Sequence, residues 1–114
     1  MDRTPPIITL TTDFGLADAY VASMKGVILT LAPAARIVDI THQIPPQDIV
    51  QGGFTLACAF PHFPPGTIHV LVVDPGVGTA RRLLLARTEH HYFLGPDNGA
   101  LAIAFEREPP REIV

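Results

Sequence analysis

The chain has 114 residues, of which 47% are hydrophobic and 17% charged, with a net charge of −3. This length suits one domain, the hydrophobic content excludes an intrinsically disordered chain, and the charge gives no basic surface for nucleic acid. No apolar segment reaches the roughly 18 residues that span a bilayer. No signal-peptide pattern is present, and a single cysteine, Cys58, cannot form an internal disulfide. We therefore expect a cytoplasmic protein without membrane or nucleic-acid partners.

The first strand and helix are predicted from an apolar run followed by a helical periodicity. Ile7–Thr12 is a short, mostly apolar run that predicts a buried strand. A helix is predicted from about Ala19 to Leu31, because apolar residues recur there at the spacing of one helical face. Asp18 precedes this helix and is expected to cap it, whereas Tyr20 is expected to pack in the core.

A second strand and helix repeat this order. Arg36–Thr41 predicts the strand, and the helix is predicted from Gln47 to about Phe60 despite the adjacent glycines Gly52 and Gly53. Each glycine costs about 1 kcal/mol relative to alanine in a helix interior. Their presence therefore indicates close packing of the helix against a neighbour. His42, in the loop between strand and helix, is the one histidine expected near a ligand-binding edge.

The strongest strand pattern is Ile68–Val73, which leads directly into Asp74. A continuous apolar run bounded by a turn is typical of a central strand buried on both faces. After two strand–helix units, it predicts an α/β fold, Rossmann-like, with a mainly parallel sheet and flanking helices. Asp13 and Asp74 would then lie at the carboxyl ends of parallel strands, where such sheets bind ligands.

The rest of the chain predicts a C-terminal β-hairpin and a short helix. The strand-like runs Arg82–Thr88 and His91–Leu94 are separated by two polar residues, which is typical of a hairpin. Gly95–Gly99 is dense in turn residues, and within it Asn98 is expected to serve a turn or a helix cap. A last helix is predicted to begin at Ala100, and the charged segment after it predicts no further element.

The loop after Asp74 contains Gly76-Val77-Gly78-Thr79 and then Arg81. A dinucleotide-binding fingerprint needs a third glycine and a following helix. Here Arg81 stands at the third glycine position and a strand follows, so a nucleotide-dependent oxidoreductase is disfavoured. The glycines are expected to let the backbone turn tightly beside a ligand. The five histidines show no metal-ligand spacing, so no metal is predicted.

Four sequence blocks, in this order and spacing, carry a resemblance to a known family. They are Asp13-Phe14-Gly15, Asp39-Ile40-Thr41-His42, the segment from Asp74 to Arg82, and Gly95-Pro96-Asp97-Asn98-Gly99. From about Ile7 to Phe105 the chain resembles the N-terminal domain of the S-adenosyl-L-methionine (SAM) hydroxide adenosyltransferases, relatives of fluorinase and chlorinase. The resemblance implies hydrolysis of SAM to adenosine and methionine, by attack of water at the ribose 5′ carbon and without a cofactor.

The resemblance also implies roles for individual residues. Asp74 and Arg81 match the acid and the arginine that activate water in the family, and Asp13 matches the acid that binds the ribose hydroxyls. The other residues expected to contact substrate are Phe14, Gly76, Val77, Gly78 and Thr79. The family's third water-activating residue, a histidine, would lie beyond Val114.

Family members carry a smaller β-rich domain after the α/β domain, and they form trimers. The resemblance therefore implies a homo-oligomer and identifies residues 1–114 as a single N-terminal domain without that second domain. We expect catalysis by these residues alone to be incomplete. The alternative is a non-catalytic nucleoside-binding or assembly domain, and adenosine formed from SAM by the chain would decide against that alternative.

Overall fold

Six strands form one sheet, and three helices accompany it, in the computed structural model, which describes residues 4–74 and 82–114. The strands are β1 (Ile7–Thr12), β2 (Arg36–Thr41), β3 (Ile68–Val72), β4 (Leu83–Arg87), β5 (Tyr92–Pro96) and β6 (Glu112–Ile113). The helices are α1 (Tyr20–Leu31), α2 (Ile49–Ala59) and α3 (Ala102–Arg107), and a single 3-10 turn, Phe60–His62, follows α2. None of these helices is long and apolar enough to cross a membrane.

The strand order across the sheet is β2-β1-β3-β5-β4-β6. β1 pairs in parallel with β2 and β3, and β3 pairs in parallel with β5. β4 is antiparallel to both β5 and β6. The predicted α/β class, the parallel centre of the sheet and the hairpin of β4 and β5 are thereby confirmed, whereas the finer Rossmann-like description stays a prediction.

The main core lies between the sheet and the helices α2 and α3. Side chains alternate along a strand, so Leu71 and Val73 point to the opposite face from Val70 and Val72. The α2 side of the sheet carries Leu71 and Val73, which pack with helix residues in one buried cluster. Its larger members are Ile44, Leu56, Phe60, Leu71, Val73, Phe93 and Leu101. Each such side chain contributes about 1.5–3 kcal/mol by leaving water.

Gly52 and Gly53 let α2 approach its neighbours closely, as the sequence predicts. A Cβ atom at Gly52 would lie 2.9 Å from Val73 Cγ2, and one at Gly53 would overlap the carbonyl oxygen of Ala100. Any larger residue at Gly53 therefore collides with backbone. α2 begins at Ile49 rather than Gln47, since Asp48 caps it by accepting a hydrogen bond from the amide of Gln51 at 3.0 Å.

Two predictions about α1 are wrong. The helix begins one residue later than expected, with Ala19 as the N-cap and no side-chain capping bond. Asp18 is therefore outside the cap position, and its carboxylate comes only within 3.5 Å of the Tyr20 amide. Tyr20 is 66% exposed instead of lying in the core. The reason is that no residue of α1 is buried in the described chain, so the apolar face that the periodicity indicates is not covered by another layer.

Two further differences concern the C-terminal third of the chain. β5 continues through Gly95 and Pro96, which the sequence assigns to a turn, because both residues pair with β4. β6 is not predicted at all, yet Glu112 and Ile113 pair with β4. Both differences arise from pairing with β4, which the local residue pattern does not reveal.

Candidate functional site

The candidate site lies at the carboxyl edge of the parallel strands. Asp13 follows β1 directly, and Asp74 comes two residues after the end of β3. β1 and β3 are neighbours in the sheet, with Thr12 opposite Val72. The fold therefore brings both acids to the same edge of the sheet, where open α/β sheets bind ligands.

Asp74 lines a small apolar pocket of about 160 Å³. The other lining residues belong to β3, β4 and β5: Val70, Val72, Leu83, Leu94, Gly95 and Pro96. The pocket is smaller than the roughly 300 Å³ at the low end for ligand sites, so it suits one end of a ligand. A carboxylate against apolar walls attracts a cation that carries apolar substituents.

Asp13 is oriented by the loop that precedes α2. Its Oδ2 accepts a hydrogen bond from the backbone amide of Gln47 at 2.7 Å. Gln47 has a φ of 64°, a conformation that is uncommon outside glycine and asparagine, so the bond from its amide helps to hold a strained turn. Within the described residues, this is the one side-chain hydrogen bond of Asp13, and its second oxygen is available to a ligand.

Asp13 and Asp74 face opposite sides of the sheet. Asp13 contacts the loop that leads into α2, whereas Asp74 lines the pocket formed by Val70 and Val72 on the other face. A ligand that touches both acids must therefore lie across the ends of β1 and β3. This geometry favours an elongated ligand with hydrogen-bond donors at one point and a positive charge at another.

Phe14 forms part of a turn that is tied to the loop after β2. Its ring packs against Tyr20 with the centroids 6.0 Å apart, and its amide donates to Thr12 Oγ1 at 3.2 Å. The next residue, Gly15, has a φ of 74° and donates its amide to the carbonyl of His42 at 2.7 Å. The half-buried Phe14 ring thus offers an apolar surface beside the Asp13 carboxylate.

A network of polar side chains supports the turn that follows β1. His42 Nδ1 lies 2.8 Å from Thr12 Oγ1, and His42 Nε2 lies 2.7 Å from Asp39 Oδ1. Lys25 of α1 donates to the other Asp39 oxygen at 2.8 Å. Burial by itself would raise the pKa of Asp39, but the hydrogen bonds from Lys25 and His42 outweigh it and lower the pKa below the ordinary 3.8. Asp39 therefore remains a carboxylate.

Sequence reasoning placed His42 near the ligand edge but did not find this network. Its members come from three separate elements, so no local spacing reveals them together. The one available signal is the separation of Asp39 and His42 by three residues, within a block that carries the family resemblance.

Asn98 anchors the strand end from which Asp74 projects. Its Nδ2 donates to the carbonyl of Val73 at 2.9 Å, and its Oδ1 accepts the amide of Ala100 at 3.0 Å. The predicted turn role is confirmed by the second bond. The first bond, to the residue just before Asp74, adds a contact that the sequence did not predict.

A larger cavity of about 420 Å³ lies at the opposite edge of the sheet, at the amino ends of the strands. Four of its nine lining residues are prolines, and Arg36 is its one titratable side chain within the described residues. Because it lacks the converging acids of the carboxyl edge, its size alone does not make it the stronger candidate.

The remaining predicted site residues lie outside the described part of the chain. These are Gly76, Val77, Gly78, Thr79 and Arg81, within residues 75–81. Arg82, whose side chain is 75% exposed, lies 3.9 Å from an Asp97 carboxylate oxygen. In residues 4–74 and 82–114, no group of three or more His, Cys, Asp or Glu side chains is arranged to hold a metal ion.

Comparison with known proteins gives consistent results. A family profile described as "SAM hydroxide adenosyltransferase N-terminal domain" matches residues 8–114. An (R)-S-adenosyl-L-methionine hydrolase from Salinispora arenicola is 50% identical over 96 residues, covering 84% of this chain and 36% of the relative. A fluorinase from an Actinoplanes species is more distant, at 35% identity over 82 residues, covering 72% of this chain and 28% of the relative.

The chain also has the same fold as solved structures of related sequence. The crystal structure of an uncharacterized conserved protein from Thermotoga maritima superposes with a TM-score of 0.88 at 41% identity, covering 94% of this chain and 41% of that one. The chain thus spans less than half of the length of the relatives it matches.

Proposed function

The chain belongs to the SAM hydroxide adenosyltransferase family, in which it corresponds to the N-terminal domain, and from this premise we propose that it supplies the adenosyl-binding and water-activating part of a SAM hydrolase site. In the reaction, water attacks the ribose 5′ carbon of SAM. A C–O bond forms and the C–S bond breaks. Methionine leaves with the electron pair of that bond, adenosine forms, and one proton is released.

The observation that carries this proposal is the position of Asp74 on an apolar pocket at the carboxyl edge. A sulfonium is a cation surrounded by carbon substituents, so an acid beside apolar walls matches its chemistry. Asp74 would stabilise the sulfonium and orient or deprotonate the water. Since methionine is already a good leaving group, placement and electrostatics are the main demands on the protein.

Asp13 and Phe14 fit the nucleoside end of the same substrate. The second Asp13 oxygen can accept hydrogen bonds from ribose hydroxyls, as the acid of nucleotide-binding α/β folds does. Phe14 gives a neighbouring apolar surface. Arg81 and the residues Gly76 to Thr79 keep their proposed catalytic and substrate-binding roles on the family resemblance alone.

The configuration of the sulfonium is part of the proposal. The relative from Salinispora arenicola is named for the (R) form of SAM, and its 50% identity to this chain favours the same preference here. We therefore propose (R)-SAM as the preferred substrate. No separate cofactor is required for the displacement.

A homo-oligomer remains part of the proposal, and the distribution of exposed apolar side chains supports it. Leu31 on α1 is 81% exposed, and Leu83 and Leu85 on the outward sheet face are 66% and 44% exposed. Apolar surface of this kind often marks an interaction site. The same observation favours the alternative, an assembly or nucleoside-binding domain without catalysis. A trimer in sedimentation equilibrium would support the assembly, and a monomer at all concentrations would contradict it.

The activity is tested by incubating the chain with each SAM epimer and following adenosine by chromatography. The chain is used alone and after fusion to the C-terminal region of the Salinispora arenicola hydrolase, with the intact hydrolase as the positive control. We expect adenosine from the fused protein, formed faster from (R)-SAM. Asp74→Asn should reduce the rate by about 100-fold or more, since it keeps the shape and removes the charge.

The outcomes separate the two functions. Adenosine from the fused protein that is lost with Asp74→Asn supports hydrolysis. Adenosine binding without cleavage by either form of the chain would favour the non-catalytic alternative. An unchanged rate in Asp74→Asn would contradict the assigned role of Asp74.

A further inference from the structure

We propose that His42 is a positioning residue, which holds the turn from Thr12 to Phe14 so that the Asp13 carboxylate presents its second oxygen to a ligand. The functional value of this role rests on the proposed function, because Asp13 is there assigned to the adenosyl group. The structural part of the proposal concerns the turn itself and can be measured without any substrate.

A continuous chain of polar contacts connects α1, through His42, to the turn from Thr12 to Phe14. It runs from Lys25 Nζ to Asp39 at 2.8 Å, from Asp39 to His42 Nε2 at 2.7 Å, and from His42 Nδ1 to Thr12 Oγ1 at 2.8 Å. Thr12 Oγ1 then accepts the amide of Phe14 at 3.2 Å. The contacts of Lys25 with Asp39 and of His42 with Thr12 join different elements, so the chain connects α1, β2 and the end of β1.

The directions of these hydrogen bonds are mutually consistent. If His42 Nε2–H donates to the Asp39 carboxylate, then Nδ1 is an acceptor and receives the Thr12 hydroxyl proton. Thr12 Oγ1 keeps its lone pairs and accepts the Phe14 amide. Both ring nitrogens of His42 and the hydroxyl proton of Thr12 are thereby used, and a carboxylate partner fixes the tautomer of an imidazole in the same way at many functional sites.

The backbone around His42 strengthens the same connection. The carbonyl of His42 accepts the amide of Gly15 at 2.7 Å, and the amide of Ile44 donates to the carbonyl of Thr12 at 3.3 Å. The amide of Gln47 then donates to Asp13 Oδ2 at 2.7 Å. The loop after β2 thus holds both sides of Asp13, and His42 stands at the start of that loop.

A buried histidine can also serve the fold alone, and His69 is such a case: its ring nitrogens contact Thr9 Oγ1 at 2.7 Å and His91 Nδ1 at 3.2 Å. His69 is fully buried among Phe60, Phe63 and Phe93, near the start of β3 and away from the carboxyl edge. His42 is only 3% exposed as well, but its side-chain partners are Asp39 and Thr12. Both histidines are therefore buried, but of the two only His42 contacts the turn from Thr12 to Phe14.

The adjacent residues Thr11 and Thr12 provide a matched control. Both are fully buried, and valine has the same shape as threonine without the hydroxyl. The Thr12 hydroxyl contacts His42 and Phe14, whereas Thr11 Oγ1 has no hydrogen-bond partner in the part of the chain that the structure describes. Thr12→Val should therefore disturb the turn, and Thr11→Val should leave it unchanged.

Two substitutions of His42 separate its contact with Thr12 from its contact with Asp39. The amide of asparagine lies close to the position of histidine Nδ1, and that of glutamine close to Nε2. His42→Asn can keep the contact with Thr12, and His42→Gln can keep the one with Asp39. If His42 acts through Thr12, asparagine should preserve the turn better than glutamine.

The test is amide hydrogen exchange followed by NMR, with adenosine affinity from calorimetry as the second readout. The critical probe is the Gln47 amide, because its acceptor is the Asp13 carboxylate; Leu71 in β3 reports global unfolding. Relative to Leu71, Gln47 should exchange at least about fivefold faster in Thr12→Val and His42→Gln, the effect of losing one hydrogen bond. It should stay within about twofold of the parent chain in Thr11→Val and His42→Asn, since the Thr12 contact remains in both.

The outcomes distinguish this role from a purely structural one. If Gln47 and Leu71 accelerate together, as we expect for His69→Gln, His42 stabilises the fold only and the proposal is overturned. An unchanged Gln47 in His42→Gln overturns it too. If Gln47 responds as expected and adenosine affinity falls about tenfold in the same variants, the functional role is supported. If the parent chain does not bind adenosine, the turn-holding role stands and the proposed function fails.

Discussion

Asn98 donates a hydrogen bond from its side-chain nitrogen to the carbonyl oxygen of Val73, at 2.9 Å. Val73 is the last residue before Asp74, so a turn that follows β5 fixes the backbone from which the proposed catalytic acid projects. The two acids of the candidate site are thus supported in similar ways. Asp13 is held by the loop after β2, and Asp74 by the loop after β5.

Substitution of Asn98 should lower stability in two steps. Asn98→Asp keeps the acceptor for the Ala100 amide but loses the donor to Val73, so we expect a loss of about 1 kcal/mol in the free energy of unfolding. Asn98→Ala loses both bonds and should cost about 2 kcal/mol. Urea unfolding measures both values. Equal stability of the aspartate variant and the parent chain would show that the bond to Val73 is not important for the fold.

Gly53 should tolerate no side chain, whereas Gly26 should. A Cβ atom at Gly53 would overlap the backbone carbonyl of Ala100, but one at Gly26 in α1 meets no atom within 4 Å. We expect Gly53→Ala to destabilise the chain by about 2 kcal/mol or more through overpacking. Gly26→Ala should raise the melting temperature, because alanine favours a helix by up to about 1 kcal/mol over glycine. A melting temperature for Gly53→Ala equal to that of the parent would contradict the close α2 packing.

Stability should fall as the solution becomes acidic, because His69 is buried as a neutral imidazole. Burial first, and then the neighbouring His91, lower the pKa of His69 from 6.5 to about 3. Between these values the unfolded chain binds a proton that the folded chain does not, so stability is lost as pH falls below 6.5. The slope can reach about 1.4 kcal/mol per pH unit.

Denaturant unfolding at about pH 7, 6, 5 and 4 measures this dependence. His69→Gln removes the titrating group and should flatten the curve, although His91, whose pKa burial also lowers, leaves a residual slope. A parent chain equally stable at the two ends of this range would contradict the assigned state of His69.

The strands that form the parallel centre were the most predictable part of the fold. β1 and β2 have the predicted bounds, Ile7–Thr12 and Arg36–Thr41, because apolar runs between turn residues are a local signal. β6 was not predictable, since its two residues become a strand only by pairing with β4. Tyr20 was assigned to the core because helical periodicity shows which residues share a face, but it does not show whether another layer covers that face.

For the candidate site, the sequence was enough to predict its two acids and the edge of the sheet at which they lie. Asp13 and Asp74 each follow an apolar strand, and the location of ligands at carboxyl ends of parallel strands gave their edge in advance. Their support was not predictable: Thr12, Asp39 and His42 come together only when β1 and β2 pair and the loop folds over them. Likewise, the bond from Asn98 to Val73 connects residues far apart in sequence.

Chemical-shift mapping of adenosine binding by NMR on the 114-residue chain tests directly whether the carboxyl edge of the sheet is the adenosyl site. If the carboxyl edge binds the adenosyl group, the amides of Gly15, Gln47 and Asp74 should shift together and saturate with one dissociation constant. Asp13→Asn should raise that dissociation constant about tenfold, because it removes the charged acceptor. Shifts confined to Gly66 and Thr67, at the larger cavity of the opposite edge, would contradict adenosyl binding at the carboxyl edge. The absence of any shift at Gly15, Gln47 and Asp74 at saturating adenosine would contradict it too.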